Sequence, residues 1–123
     1  VNGTLELLGA ALLEERELEE RHLGEAKACI ERRLDDPDLD PRAIARALGV
    51  SVRTLHAWFH VDGHSVSRWV LHRRLARARA DLRNDRVSSI TQIAFRWGFN
   101  DAAYFSRAFR RVYGVSPSAW RKP

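Results

Sequence analysis

The sequence contains no methionine, a single cysteine and no long apolar run. The absence of a run of about 18 or more apolar residues argues against a membrane-spanning helix. The start of the chain also lacks the pattern of a signal peptide, so we expect a cytoplasmic protein. Cys29 has no partner for an internal disulfide, and we expect it to be a small buried side chain. Because the chain begins at Val1, we expect that a further segment precedes it in the intact protein.

Signals for β-strands and for catalysis are equally scarce. No alternating run of β-branched residues and no Asn-Gly or Asp-Gly hairpin pair is found in the 123 residues. The sequence therefore predicts an all-α fold. No arrangement of nucleophile, base and orienting group, and no phosphate-binding glycine loop, can be recognised. We therefore predict no enzymatic activity and no cofactor.

Charge is distributed unevenly along the chain. Residues 1–40 contain twelve acidic and five basic residues, whereas residues 41–123 contain four acidic and sixteen basic residues, a net charge of +12. Basic residues placed at phosphates release condensed counterions, so a strongly basic domain is typical of a polyanion binder. A merely soluble basic surface is the alternative that charge alone leaves open.

The acidic start predicts two helical segments. Leu5, Leu8 and Leu12 form a narrow apolar stripe ahead of the charged run EERELEERHLGE, and we expect residues 1–24 to be a linker helix or tail. A second helix is predicted over EAKACIERRLDD, residues 25–36. The prolines of DPDLDP should end it, because the residue before a proline disfavours helical geometry.

Two later segments repeat one pattern of helix, glycine-bearing turn and helix. The first spans about residues 41–60 and the second about 90–112, with a long helix predicted between them at about 65–84. The predicted N-caps are Asp40, Ser51, Ser65 and Asp101. The residues of the two copies match at an offset of 49 and, after one extra turn residue, of 50; the pairs are Ile44 with Ile93, Ala45 with Ala94, Gly49 with Gly98, Ser51 with Asp101, Leu55 with Phe105, and Phe59 with Phe109.

This repeated unit predicts a helix-turn-helix whose second helix lies in the DNA major groove. Any helical bundle also has hinged helix pairs, but two copies in a strongly basic chain favour double-stranded DNA as the partner. A nonspecific architectural DNA binder is the alternative, because total charge alone would then determine affinity.

The outward faces of the two second helices predict the contacts. Arg107 is best placed to reach base edges, because arginine pairs bidentately with guanine. Ala102 and Ala103 are small enough to touch a thymine methyl group, and Arg53 and His56 are the predicted base readers of the first copy. The predicted phosphate contacts are Ser51, His60, Arg73, Arg110 and Arg111.

A zinc site is the other interpretation of three histidines. His56, His60 and His64 lie four residues apart, and two histidines at that spacing can share a metal. However, Gly63 should break the helix before His64, and His56 and His60 already lie on the face proposed to meet DNA. We therefore predict no metal site.

The second copy and its surroundings also resemble a known family. The run IAFRWGFNDAAYFSRAFRRVYGVSPSAWR is similar to the signature of the AraC/XylS transcription regulators. The similarity extends back through RRLARARADL and IARALGVSVRTLHAWF, and covers about residues 25–123.

The resemblance implies a DNA-binding domain of about seven helices, with two helix-turn-helix units joined by a long helix. It implies base-reading positions at Arg53, His56, Ala57, Ala102, Ala103, Ser106 and Arg107. It also implies RNA polymerase as a partner and an effector ligand bound by a separate domain that this chain does not contain. Residues 1–24 would then be the linker to that domain.

Overall fold

The computed structural model describes residues 2–123, with side chains from residue 6 onward, and these residues form seven helices without a strand. The all-α prediction is confirmed. The helices are α1 (Asn2–Arg32), α2 (Pro41–Leu48), α3 (Val52–His60), α4 (Val66–Asn84), α5 (Ile90–Arg96), α6 (Ala102–Tyr113) and α7 (Pro117–Arg121). None of the described helices is both long and apolar enough to cross a membrane.

The predicted caps start four of these helices. Asp40 accepts a hydrogen bond from the backbone N–H of Ala43 at 2.8 Å, which satisfies one of the unpaired donors at the start of α2. Ser51, Ser65 and Asp101 accept equivalent backbone bonds at the starts of α3, α4 and α6. Helices α2 and α3 lie within residues 41–60, and α5 and α6 within residues 90–113.

The acidic start differs from the prediction. The structure has one continuous helix, α1, about 46 Å long at 1.5 Å per residue, where the sequence predicted two segments ending at residue 36. Gly24 does not interrupt it, since a helical glycine costs only about 1 kcal/mol. Leu8 and Leu12 are more than half exposed, and the side chain of Leu5 lies outside the described residues. The first buried residue is Leu23, so only the last third of α1 joins the core.

Two apolar clusters fill the interior. The first joins the end of α1 to α2, α3 and the start of α4, and its fully buried side chains include Ile30, Leu55 and Phe59. The second joins the remainder of α4 to α5 and α6 around Phe105 and Phe109. Cys29 is buried and unpaired beside the first cluster, as predicted. Helix α4 therefore connects the two units by contributing to both cores.

Trp97 and Gly98 lie where the two units meet. The Trp97 side chain packs against both clusters, and its indole N–H donates to Asp81 on α4 at 2.8 Å. Gly98 has φ of +85° and lies so close to the first unit that an added Cβ would be 2.7 Å from the carbonyl oxygen of Leu34. Arg74 on α4 donates to that same carbonyl at 3.0 Å and to the carbonyl of Asp36. These contacts fix the second unit against the end of α1.

The last helix closes the second core. Trp120 of α7 donates its indole N–H to the carbonyl of Arg79 at 3.0 Å. The guanidinium of Arg83 lies 3.4 Å from the centroid of the Trp120 ring, a cation–π contact. Arg121 donates to the carbonyl of Leu82 at 3.0 Å. Trp120 is therefore the aromatic anchor of α7.

Candidate nucleic-acid interface

Helix α3 presents one exposed polar face. Leu55 and Phe59 are fully buried, which orients the helix by its apolar side. The opposite side is exposed and consists of Arg53, His56, Ala57 and His60. These four are the predicted contact residues within α3, and the fold brings them together on one face.

Helix α6 presents the equivalent face of the second unit. Phe105, Ala108 and Phe109 turn inward, and Ala103, Arg107, Arg110 and Arg111 are exposed. Ala102 and Ser106 are half-buried at the border of that face. The left-handed Gly114, with φ of +78°, ends α6 one turn beyond Arg110. Every contact residue predicted on α6 therefore lies on or beside this face.

The two faces correspond to each other through the repeat. Because both helices are oriented by apolar residues at an offset of 50, Arg53 corresponds to Ala103 and Ala57 corresponds to Arg107. The arginine of α3, Arg53, thus lies near the start of its helix, whereas Arg107 lies in the middle of α6. Two helices of the same geometry therefore offer different patterns of long cationic and small apolar side chains to whatever they contact.

The arginines of α6 are not neutralised. Among residues 6–123, Arg107, Arg110 and Arg111 form no ion pair. By contrast, Arg96 on α5 pairs with Asp81 at 3.0 Å and with Asp85 at 2.7 Å. Asp81 and Asp85 thus neutralise Arg96 and not the arginines on the exposed face of α6, which keep uncompensated positive charge.

Asp85, at the end of α4, is a carboxylate held by several hydrogen bonds beside the second unit. It accepts hydrogen bonds from the backbone N–H groups of Ser88 at 3.0 Å and of Val87 at 3.1 Å. These bonds, the Ser88 side chain and the Arg96 guanidinium hold the pKa of Asp85 far below its ordinary value of 3.8. The pKa of Arg96 is raised in turn, chiefly by Asp85. This network closes the loop between α4 and α5 and so positions the second unit.

Two of the predicted phosphate contacts, Arg73 and Ser51, lie outside the exposed faces of α3 and α6 and already have hydrogen-bond partners. Arg73 is on the side of α4 that packs against α1, where its Nε donates to the Glu31 carboxylate. Ser51 is the N-cap of α3, and its hydroxyl donates to the Thr54 hydroxyl at 3.0 Å. Either group would have to exchange an existing partner in order to bind a phosphate, and both remain predictions.

The three histidines do not share an environment. His56 and His60 are exposed on the α3 face, whereas the His64 ring lies beyond the end of α3 and tilts against Trp69 at 6.3 Å between ring centroids. Gly63, with φ of +72°, separates His64 from the helix. The described residues contain no group of three potential metal ligands.

Sequence reasoning did not identify Arg68 and His72. Both lie on the side of α4 that faces α6, where they line a cleft together with Arg107 and Arg111. Their spacing of four residues indicates a shared helical face. The sequence does not indicate which face of α4 would meet α6, so no sequence signal connected them with the exposed arginines.

The chain is similar to known helix-turn-helix proteins over most of its length. A family model described as a helix-turn-helix domain matches residues 44–123. The transcriptional activator RhrA of Rhizobium meliloti (strain 1021) is 36% identical over 108 residues, which cover 87% of this chain and 34% of RhrA. The transcriptional activator NphR of Rhodococcus sp is 36% identical over 100 residues, which cover 81% of this chain and 30% of NphR. The chain thus spans about a third of the length of these relatives.

A solved structure shares the fold. The transcriptional regulator from Chromobacterium violaceum, described as an AraC-type DNA-binding domain-containing protein, superimposes with a TM-score of 0.77 at 32% identity. The match covers 83% of this chain and 90% of that chain. The similarity therefore includes both helix-turn-helix units and the helix between them.

Proposed function

Because this chain belongs to the AraC/XylS family and is the sequence-specific DNA-binding domain of a transcription regulator, we propose that it inserts α3 and α6 into successive major-groove segments of double-stranded DNA. The observation that carries the proposal is the pair of exposed, carboxylate-free helix faces that the repeat relates and that α4 connects. A nonspecific binder would need positive charge, but it would not need two matched faces.

Each predicted residue has a role in this proposal. Arg107 pairs with a guanine, and Ala102, Ala103 and Ser106 line the same groove segment, where the small side chains contact thymine methyl groups. Arg53 and His56 read bases in the other segment, where Ala57 permits close approach. The proposed phosphate contacts are Ser51, His60, Arg73, Arg110 and Arg111.

The length of α4 supports simultaneous binding by both units. Its 19 residues extend about 28 Å, comparable with the roughly 34 Å between successive major-groove segments on one side of B-DNA. The tight packing of Trp97 and Arg74 between the units supports a fixed separation. A bound site would then consist of two short blocks about one helical turn apart.

The intact protein is proposed to regulate transcription as an activator. The names of the relatives RhrA and NphR support activation, and their greater length supports a further domain that binds an effector. The exposure of residues 6–21 on α1 supports residues 1–24 as the linker to that domain, with about 25–123 as the DNA-binding domain. Contact with RNA polymerase and a cytoplasmic location follow from this role as further parts of the proposal.

Selection of bound sequences from random DNA at near-physiological salt tests the proposal, followed by footprinting of the selected sequence. Two enriched blocks about one helical turn apart are expected. A single block would mean that only one helix reads bases, and no enrichment would leave a nonspecific binder.

Arg107→Ala then tests specific readout by α6. It should cost about 1–3 kcal/mol on the selected site and much less on random DNA. Arg16→Ala removes the same charge from an exposed position on α1 and serves as the matched control. Equal losses for Arg107→Ala on both DNAs would contradict base reading by α6.

A further inference from the structure

A cleft of about 610 Å³ separates α4 from α6 on the side of the exposed arginines. Its polar lining comes from Arg68 and His72 on α4 and from Tyr104, Arg107 and Arg111 on α6. Leu71, Ala108 and Val112 form its apolar part. No carboxylate lines it, and its volume is in the range of about 300–1,000 Å³ that is typical of ligand sites.

The cations of this cleft lack the partners that other arginines of α4 have. Arg73 and Arg77 both pair with Glu31, and Arg74 donates to two backbone carbonyls. Within the described part of the chain, Arg68 has neither a carboxylate nor a carbonyl partner. The same helix therefore neutralises its arginines on one side and leaves the cleft side positive.

The environment of His72 is consistent with this excess of positive charge. Burial lowers the pKa of His72 below its ordinary value of 6.5, and the charges of Arg68 and His64 lower it further. From α6 the cleft adds Arg107, Arg111 and the Tyr104 hydroxyl, and none of these carries negative charge at neutral pH. An anion in the cleft would reverse the balance and allow His72 to take up a proton.

We propose that this cleft binds a phosphate group, with Arg68 and Arg111 as its charged donors and His72 as a third donor. Two sources share this chemistry: the DNA backbone between the two bound blocks, and a free phosphorylated molecule. The DNA backbone is favoured because Arg107 and Arg111 belong both to the cleft and to the exposed face of α6, so the cleft opens beside the proposed DNA surface. This assignment to DNA rests on the proposed function.

Binding of the DNA backbone is tested on the selected two-block DNA. The phosphates between the two blocks are replaced by methylphosphonates, which carry no charge. Wild-type protein should lose at least about tenfold in affinity, the loss expected for one charge-assisted contact. Arg68→Gln should lose affinity on unmodified DNA, and neutralisation should then cost it less than it costs the wild type, because only Arg111 and His72 remain as donors. Its slope of log affinity against log salt should be shallower by about 0.9. Arg16→Gln, the matched loss of an exposed arginine, should change neither result.

Binding of a free phosphorylated molecule is tested by proton NMR titration of His72 in the whole chain. Inorganic phosphate is added as the probe at constant ionic strength. Phosphate should raise the pKa of His72 in the wild type but not in Arg68→Gln. A response to inorganic phosphate without any effect of the neutralised DNA would assign the cleft to a small phosphorylated ligand. No response of His72 and no coupling between Arg68 and the neutralised phosphates would overturn the proposal.

The two experiments also distinguish a failure of this proposal from a failure of the proposed function. A failure to select any DNA would refute specific DNA reading, whereas the NMR titration would still test the cleft. Arg68 is exposed and forms no ion pair within residues 6–123, so its variant should unfold at the wild-type temperature.

Discussion

Replacing Gly98 with alanine should destabilise the protein far more than the same change at other glycines of positive φ. With φ at +85°, an alanine at this position incurs roughly 1–2 kcal/mol of backbone strain. Its Cβ would also be 2.7 Å from the carbonyl oxygen of Leu34 and 2.8 Å from the guanidinium carbon of Arg74. The Arg74 side chain can move away, whereas the Leu34 carbonyl is backbone at the end of the first core and its contact is relieved only by a backbone shift.

The cost of moving Arg74 follows from its bonds. It is half-buried and donates to the carbonyls of Leu34 and Asp36, and a charge-assisted hydrogen bond contributes about 1.5–3 kcal/mol. Losing one such bond in addition to the strain gives a total of roughly 2.5–5 kcal/mol for Gly98→Ala. Urea unfolding followed by circular dichroism measures this as a lower midpoint at unchanged slope.

The control is Gly114→Ala. Gly114 has a similar φ of +78°, but its added Cβ would meet nothing within 4 Å, so only the strain of about 1–2 kcal/mol is expected. Removing the Arg74 side chain should also make Gly98→Ala cheaper, a coupling that a double-mutant cycle detects. Equal losses for Gly98→Ala and Gly114→Ala, or full additivity with Arg74→Ala, would refute the reasoning.

Two further predictions concern pH and the acidic helix. Asp85 has a depressed pKa in the folded protein, so its stabilisation is present above its unfolded pKa of 3.8 and is lost as pH falls below that value. Asp85→Asn should therefore be less stable than wild type at pH 7, with a difference that shrinks in acid; thermal melts from pH 7 to pH 2 check this, and a constant difference would contradict it. A chain that begins at residue 15 should lose less than about 1 kcal/mol of unfolding free energy, because residues 6–14 are all exposed; a larger loss in urea titrations would mean that they pack on the domain.

Local rules predicted much of this fold. The caps of α2, α3, α4 and α6 depend on a side chain and a backbone N–H only two or three residues apart, so the sequence contains all the information they need. The orientation of α3 and α6 follows in the same way from the spacing of their apolar residues. The positions of the proposed contact residues on exposed faces could therefore be expected in advance.

Contacts between distant parts of the chain could not be predicted. Arg74 lies 40 residues from Leu34, and no periodicity indicates that it would donate to that carbonyl or pass beneath Gly98. The same limit applies to Arg73, which looked like a free cation in sequence but pairs with Glu31, 42 residues away. The continuity of α1 could not be predicted either, since the two expected segments meet at Gly24, where a helix can continue at a cost of only about 1 kcal/mol.

The shared side chain of Trp97 has a consequence for the DNA itself. Because Trp97 packs against both clusters, rotating one unit about the other would disturb both cores. Where the groove repeat of the DNA does not match the spacing of α3 and α6, the DNA would then have to bend or twist to meet both helices. The energy of that deformation depends on the base steps between the two blocks, since pyrimidine–purine steps bend more easily than A-tracts. Bases that no side chain touches would then influence affinity through their stiffness.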